Sequence, residues 1–140
     1  MLDKRFDFKK VEKNLLLLWK RSNTYKFKKN KKSEPFCIMM PPPNITGSLH
    51  MGHALTFTLQ DILIRYNKKI GKNVLWQPGT DHAGIATQKI VEAKLKNENN
   101  ISKNDIGKDQ FIKKIWEWKH ESGNTIINQI KRLGASPDWK

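Results

Sequence analysis

Cysteine is nearly absent. Cys37 is the only one, so no internal disulfide can form, and the chain suits a reducing compartment. Long apolar runs are missing too. The longest, Leu15-Leu16-Leu17-Leu18-Trp19, falls far short of the about 18 residues that a membrane-spanning helix needs. It is also too short for the apolar region of a secretory signal, and Met1-Leu2-Asp3-Lys4-Arg5 carries an acid that a transit peptide would lack. A cytoplasmic protein without membrane contact is expected. Acids are scarce: 13 Asp and Glu face 27 Lys and Arg, for a net charge of +14. Such an excess draws polyanions, nucleic acid first. Lysine far outnumbers arginine, and asparagine is abundant, as in proteins from AT-rich coding sequence. The charge alone therefore implies no more than contact with RNA or DNA.

What is present is a chain of 140 residues, enough for one compact domain burying roughly 68–70% of its unfolded surface. Phe8, Val11, Leu15 and Leu18 recur at helical spacing and predict a helix over 7–19. Residues 20–34 are polar, with Lys26, Lys28, Lys29, Lys31 and Lys32 crowded together; they read as a solvated loop, with nucleic-acid contact as the alternative. Residues 1–34 thus form an N-terminal helix and basic loop, and 35–140 the remaining domain. Phe36 to Met40 is a strand that must stop at Pro41-Pro42-Pro43, since proline donates nothing to a sheet ladder. A helix is expected over 52–70, with Leu55, Leu59, Ile62 and Tyr66 on one face and Gly71 at its stop. Asn73 to Gln77 is a second strand. Helices follow over 85–96 and 108–133, joined by a polar connection over 97–107. The last helix puts Phe111, Ile115, Trp118, Ile126, Ile130 and Leu133 on one stripe, and Gly123 is expected to weaken or bend it. Trp116 and Trp118 read as helix-packing residues and His120 as a solvated one. This order of elements predicts an α/β fold: the first part of a parallel sheet with crossover helices.

Two stretches carry chemistry. Asn44-Ile45-Thr46-Gly47-Ser48-Leu49-His50-Met51-Gly52-His53 joins the first strand to the second helix. In open α/β sheets ligands bind beyond the carboxyl ends of strands, and a helix start offers free N–H groups to phosphate. His50 and His53 share a helical face, each with a ring N–H to donate, and Gly52 lets a ligand approach the backbone. Three other readings compete. Half a zinc site would need two more ligands, and Cys37 with a distant histidine is a poor set. A hydrolase built on Ser48 lacks a nucleophile elbow. Two unrelated surface histidines are the plainest alternative. In the second stretch, Asp81 follows the second strand, where a carboxylate can hold an α-ammonium; Asn44 adds a polar contact, and Pro41 and Pro42 an apolar wall. Asp81 as a helix N-cap is the structural alternative. His82 stands open between ligand neighbour and packed residue.

His50-Met51-Gly52-His53 resembles the HIGH signature of class I aminoacyl-tRNA synthetases. The preceding Pro-Pro-Pro-Asn-x-Thr-Gly, residues 41–47, narrows the resemblance to the valine, isoleucine, leucine and methionine branch. Gly79-Thr80-Asp81-His82-Ala83-Gly84-Ile85-Ala86-Thr87-Gln88 is similar to the valyl-tRNA synthetase family. So are the stretches around Trp116-Glu117-Trp118-Lys119 and Arg132-Leu133-Gly134-Ala135-Ser136. The resemblance implies a Rossmann-like catalytic domain that activates valine with ATP and Mg2+ and passes it to tRNA(Val). It makes His50 and His53 catalytic, Thr46, Gly47, His50, Gly52 and His53 ATP-binding, and Pro41, Pro42, Asn44 and Asp81 valine-binding, with no protein-bound metal and a monomeric complete enzyme. The family's KMSKS loop, editing insertion and anticodon-binding domain are not among these residues. The chain reads as an N-terminal fragment of the catalytic domain, expected to be inactive alone. A stand-alone H-x-G-H nucleotidyltransferase and a non-catalytic basic RNA-binding fragment are the other function classes.

Overall fold

The computed structural model describes residues 6–139, with Asn99 by its backbone alone. Met1-Leu2-Asp3-Lys4-Arg5, read above as unlike a transit peptide, lies outside the described residues. The expected α/β order is present: α1 Phe8–Ser22, β1 Pro35–Met39, α2 Met51–Lys69, β2 Asn73–Gln77, α3 Gly84–Asn99 and α4 Lys103–Arg132. The chain divides into two compact units. The first comprises the chain up to Met40, Thr56–Pro78 and the tail from Lys131; the second comprises Pro41–Leu55 and Gly79–Ile130.

The first unit is built on a parallel pair. β1 and β2 run in register from Pro35 opposite Asn73 to Met39 opposite Gln77, and Met40 N–H continues the ladder to the Gln77 carbonyl at 2.9 Å. Met40, Phe57, Ile64 and Trp76 form its buried core. Trp76 Nε1 donates to Gln60 Oε1 at 3.1 Å, so the side of α2 carrying Phe57, Gln60 and Ile64 faces β2. The expected stripe was a different one. Leu55, Leu59, Ile62 and Tyr66 are 62%, 55%, 57% and 61% exposed. Apolar residues occupy two sides of α2, and periodicity cannot choose between them. In α1 the inward side is displaced in the same way. Phe8, Leu15 and Leu18 are exposed, whereas Leu16 and Trp19 line an apolar recess with Tyr25, Pro137 and Trp139. The displacement follows the aromatic pair: Trp19 meets Tyr25 edge to face at 5.4 Å, with the Arg65 guanidinium 5.2 and 4.9 Å from the two ring centres.

Helix ends follow local chemistry. Asp7 Oδ1 caps α1 by accepting the Lys10 N–H at 3.1 Å. Asn23 and Asn100 close α1 and α3 in the left-handed region, which asparagine tolerates better than most residues. Gly71 does the same for α2, at φ 89, with Lys72 N–H reaching back to the Asn67 carbonyl. The polar connection expected over 97–107 is shorter than that. α3 runs to Asn99, and one helical turn from Lys103 precedes Gly107, whose φ of 75 breaks the helix. Ser102 N–H donates to Asp105 Oδ2 at 2.7 Å, half of a capping box that starts this turn. Gly123, by contrast, keeps helical backbone angles: Gly107 is the one non-helical position within α4. Leu133 lies past the helix end and is 51% exposed, so it leaves the expected stripe.

Asp61 ties the tail to α2. Its carboxylate accepts from Arg65 Nε at 2.6 Å, from Ser136 N–H at 2.9 Å and from Ser136 Oγ. Arg65 also donates to the Gly134 carbonyl at 2.8 Å. Asp61→Ala strands a buried Ser136 N–H and frees an arginine, and should destabilise the fold by about 2–3 kcal/mol. Ser136→Ala keeps the N–H bond and should cost about 1 kcal/mol. Urea denaturation of the two variants separates these values.

Candidate functional site

The second unit holds the residues expected to bind ATP and valine: Pro41, Pro42, Asn44, Thr46, Gly47, His50, Gly52, His53 and Asp81. Its loops begin where β1 and β2 stop. Asn44 and Asp81 form an isolated parallel bridge: Asp81 N–H donates to the Pro43 carbonyl at 3.0 Å, and Ile45 N–H to the Asp81 carbonyl at 2.9 Å. The first connection carries one residue more than the second, residues 40–43 against 78–80 between the paired positions, as at a bulge. Burial alternates across the bridge. Pro43 and Ile45 are buried, whereas Pro41, Pro42, Asn44 and Asp81 are exposed. Pro42 lies beside Gly79, where a side chain would begin 3.8 Å from the Pro42 ring.

Ile45 holds the first loop in place. Its side chain is 1% exposed, and its carbonyl accepts from Trp118 Nε1 at 2.9 Å and Ser122 Oγ at 3.1 Å, both on α4. Gly123 faces the Ile45 side chain: a Cβ there would sit in ordinary contact, 4.0 Å from Ile45 Cγ2. Further along the loop, Leu49 N–H donates to Gln129 Oε1 at 2.9 Å. Trp118, Ser122 and Gln129 were not among the expected site residues. The signal was faint but present, because Ser122 stands one turn after Trp118 within an apolar stripe. Trp118 also packs with Ile115 and Ile106 against Val91, Leu95 and Phe111, as expected of it. Trp116 does not pack. It is 52% exposed, with Lys119 Nζ 4.2 Å from its ring centre.

Thr46 and Gly47 turn outward, with open space where a Gly47 side chain would be. The chain then reaches His50 and the first turn of α2. The imidazoles of His50 and His53 meet at 4.0 Å between centres. His53 Nδ1 accepts the His50 N–H at 3.3 Å, and His50 Nδ1 accepts the Gly52 N–H at 3.1 Å. Burial, and then the neighbouring His50, lower the His53 pKa below its ordinary value. The His50 ring lies against Gly52, and its Cε1 would be 2.9 Å from a Cβ there. Asp81 does not cap α3. Ala83 holds that position, in the left-handed region at φ 55, and Asp81 Oδ1 accepts its N–H at 3.0 Å. His82 is exposed, and its carbonyl accepts from Thr87 Oγ1.

The structure therefore brings His50 to His53, Asn44 to Asp81, and Pro42 to Gly79. Among the described residues no group of three or more His, Cys, Asp or Glu side chains is placed to hold a metal ion, and no helix is long and apolar enough to cross a membrane. The description "tRNA synthetases class I (I, L, M and V)" matches residues 14–140, and the chain belongs to that family. It is 54% identical over 139 residues to a valine–tRNA ligase of Caulobacter vibrioides, covering 99% of this chain and 15% of that protein. A Mesorhizobium japonicum valine–tRNA ligase is 55% identical over 141 residues, with the same coverage of both chains. The chain thus spans about 15% of the length of these curated relatives. The fold is similar to that of the LeuRS in a ternary complex, Agrobacterium radiobacter K84 agnB2 LeuRS-tRNA-LeuAMS. The TM-score is 0.76 at 16% identity, covering 96% of this chain and 15% of that one.

Two predictions follow from this geometry. Trp118→Phe and Ser122→Ala each leave the Ile45 carbonyl one donor, and the double variant leaves it none. Their losses should exceed additivity by about 1 kcal/mol in a urea double-mutant cycle. The lowered His53 pKa means the unfolded chain takes up this proton first as pH falls. The His53 contribution is therefore destabilising below the ordinary imidazole value and vanishes above it. An NMR titration of the His53 Cε1–H signal should show it titrating below the ordinary imidazole value.

Proposed function

We propose that this chain carries the ATP- and valine-facing residues of a valine–tRNA ligase, which activates valine to valyl-adenylate and transfers it to tRNA(Val). The observation that carries the reading is the His50–His53 pair at the start of α2, set within a chain about half identical to valine–tRNA ligases. In the first step a valine carboxylate oxygen bonds to the α-phosphorus of ATP, and the bond to pyrophosphate breaks. His50 and His53 donate ring N–H groups to phosphate oxygens as charge shifts onto them, and one such preorganised donor contributes on the order of 10²–10³ in rate. Thr46, Gly47 and Gly52 line the nucleotide side. Asp81 holds the α-ammonium of valine, Asn44 adds a polar contact beside it, and Pro41 and Pro42 face the apolar side chain. Magnesium would accompany the ATP phosphates; the described residues offer no acidic cluster for it, and these steps use only side chains of the chain itself. The charge of +14 suits a tRNA partner.

Valine-dependent ATP–pyrophosphate exchange, measured in a protein of the relatives' full length carrying this sequence, tests the assignment. Asp81→Ala removes one partner of a charge pair, at about 2–5 kcal/mol. The valine KM should therefore rise about 30-fold or more, while the ATP KM stays near its starting value. An unchanged valine dependence removes Asp81 from the amino-acid site.

A further inference from the structure

The first turn of a helix leaves N–H groups without partners, and proteins usually satisfy them with Ser, Thr, Asp or Asn at the N-cap and Glu or Gln three residues on. This chain uses the acidic form at Ser102 and Asp105. α2 has no acid in its first turn. His50 stands at its N-cap position and His53 three residues later, and the two do what a capping box does. His50 Nδ1 accepts the Gly52 N–H, and His53 Nδ1 accepts the His50 N–H. A ring nitrogen that accepts a hydrogen bond carries no proton, so each neutral ring must keep its proton on Nε2.

This arrangement depends on residue 52. A Cβ on Gly52 would lie 2.9 Å from His50 Cε1 and 3.1 Å from its Nδ1, closer than packed atoms allow. Glycine inside a helix costs about 1 kcal/mol relative to alanine, so its presence one residue into α2 calls for a reason. Nothing else within 4 Å of that position is crowded.

We propose that Gly52 is a positioning residue: by admitting the His50 ring over the first turn, it lets His50 and His53 cap α2 reciprocally through Nδ1. Both rings are thereby fixed as Nε2–H tautomers. Nε2 lies on the far side of each ring from the capped backbone, which is where a donor to an anion is needed. The functional consequence rests on the reading of the pair as phosphate donors; the tautomer assignment does not.

Gly52→Ala should fold, because what yields is the end of a rotatable side chain and alanine favours the helix. The test is long-range 1H–15N correlation of the histidine rings in the 15N-labelled 140-residue chain at about pH 8, above the ordinary imidazole pKa. The wild type should show His50 and His53 each as a single Nε2–H tautomer. Gly52→Ala should abolish the single-tautomer signature of His50 and leave those of the exposed His82 and His120 unchanged. Met51→Ala, at an 82% exposed side chain, should leave all four histidines unchanged. A His50 ring protonated at Nδ1 in the wild type, or a His50 signature untouched by Gly52→Ala, overturns the proposal. In a full-length protein, Gly52→Ala should lower the exchange kcat by up to about 10²-fold, since misplacing a group by about 1 Å can cost that much, with the valine KM little changed. Altered tautomers with an unchanged kcat would support the cap and refute the phosphate reading.

Discussion

The loop that presents the candidate site depends on one carbonyl. Between the bridge at Asn44 and the helix start at Met51 the chain has no regular partner, and a buried backbone oxygen without a donor would make that path untenable. The Ile45 carbonyl receives two donors, Trp118 Nε1 and Ser122 Oγ. Its N–H is taken by the Asp81 carbonyl, and its side chain is sealed. A single residue therefore locks the first loop to the second and both to α4. Gln129, holding Leu49 N–H, extends the same device to the residue before His50. The side chains on either side of Ile45, Asn44 and Thr46, are exposed because Pro43 and Ile45 point inward.

Much of this was legible in the sequence, and for identifiable reasons. β2 was located to the residue because apolar Val74-Leu75-Trp76 lies between Gly71 and Pro78-Gly79. The Pro41-Pro42-Pro43 run ended β1 where proline chemistry requires it. Asn44 and Asp81 were each read as following a strand of one parallel sheet, but their pairing as a bridge was not foreseen. The asparagines were undervalued. Abundance suggested coding bias, yet Asn23 and Asn100 occupy left-handed caps where most residues would be strained.

The amphipathic faces were less legible, and the cause is specific. α2 has Phe57 and Ile64 on one side and Leu59, Ile62 and Tyr66 on another. Both patterns satisfy helical spacing, and only the Gln60–Trp76 hydrogen bond shows which side faces β2. β1 poses the same ambiguity: Phe36 and Ile38 are half-buried, while Cys37 and Met39 are exposed, in a continuous apolar run typical of strands covered on both faces. Trp116 and Trp118 were expected to behave alike. Two residues apart on a helix, they point in directions about 200° apart, and only Trp118 reaches the Ile45 carbonyl.

The choice of histidine at the start of α2 has a physical logic that binding arguments alone do not capture. A Ser-x-x-Glu box would satisfy the same N–H groups, but its carboxylate would stand where a phosphate is proposed to bind, and like charges there repel. Serine or asparagine at the cap would be neutral, but each has its donor and acceptor close together at one end of the side chain. An imidazole separates them across a rigid ring. One nitrogen accepts from the helix while the other donates away from it, so the group that completes the helix also faces the anion. Protonation would destroy this arrangement, because Nδ1 could no longer accept, and burial together with the His50–His53 contact already disfavours it at His53. The helix start and the proposed phosphate site therefore require the same protonation state of the same two rings. A substitution that kept the positive charge but lost the Nδ1 acceptor, such as lysine, would attract phosphate and still unfasten the turn that positions it.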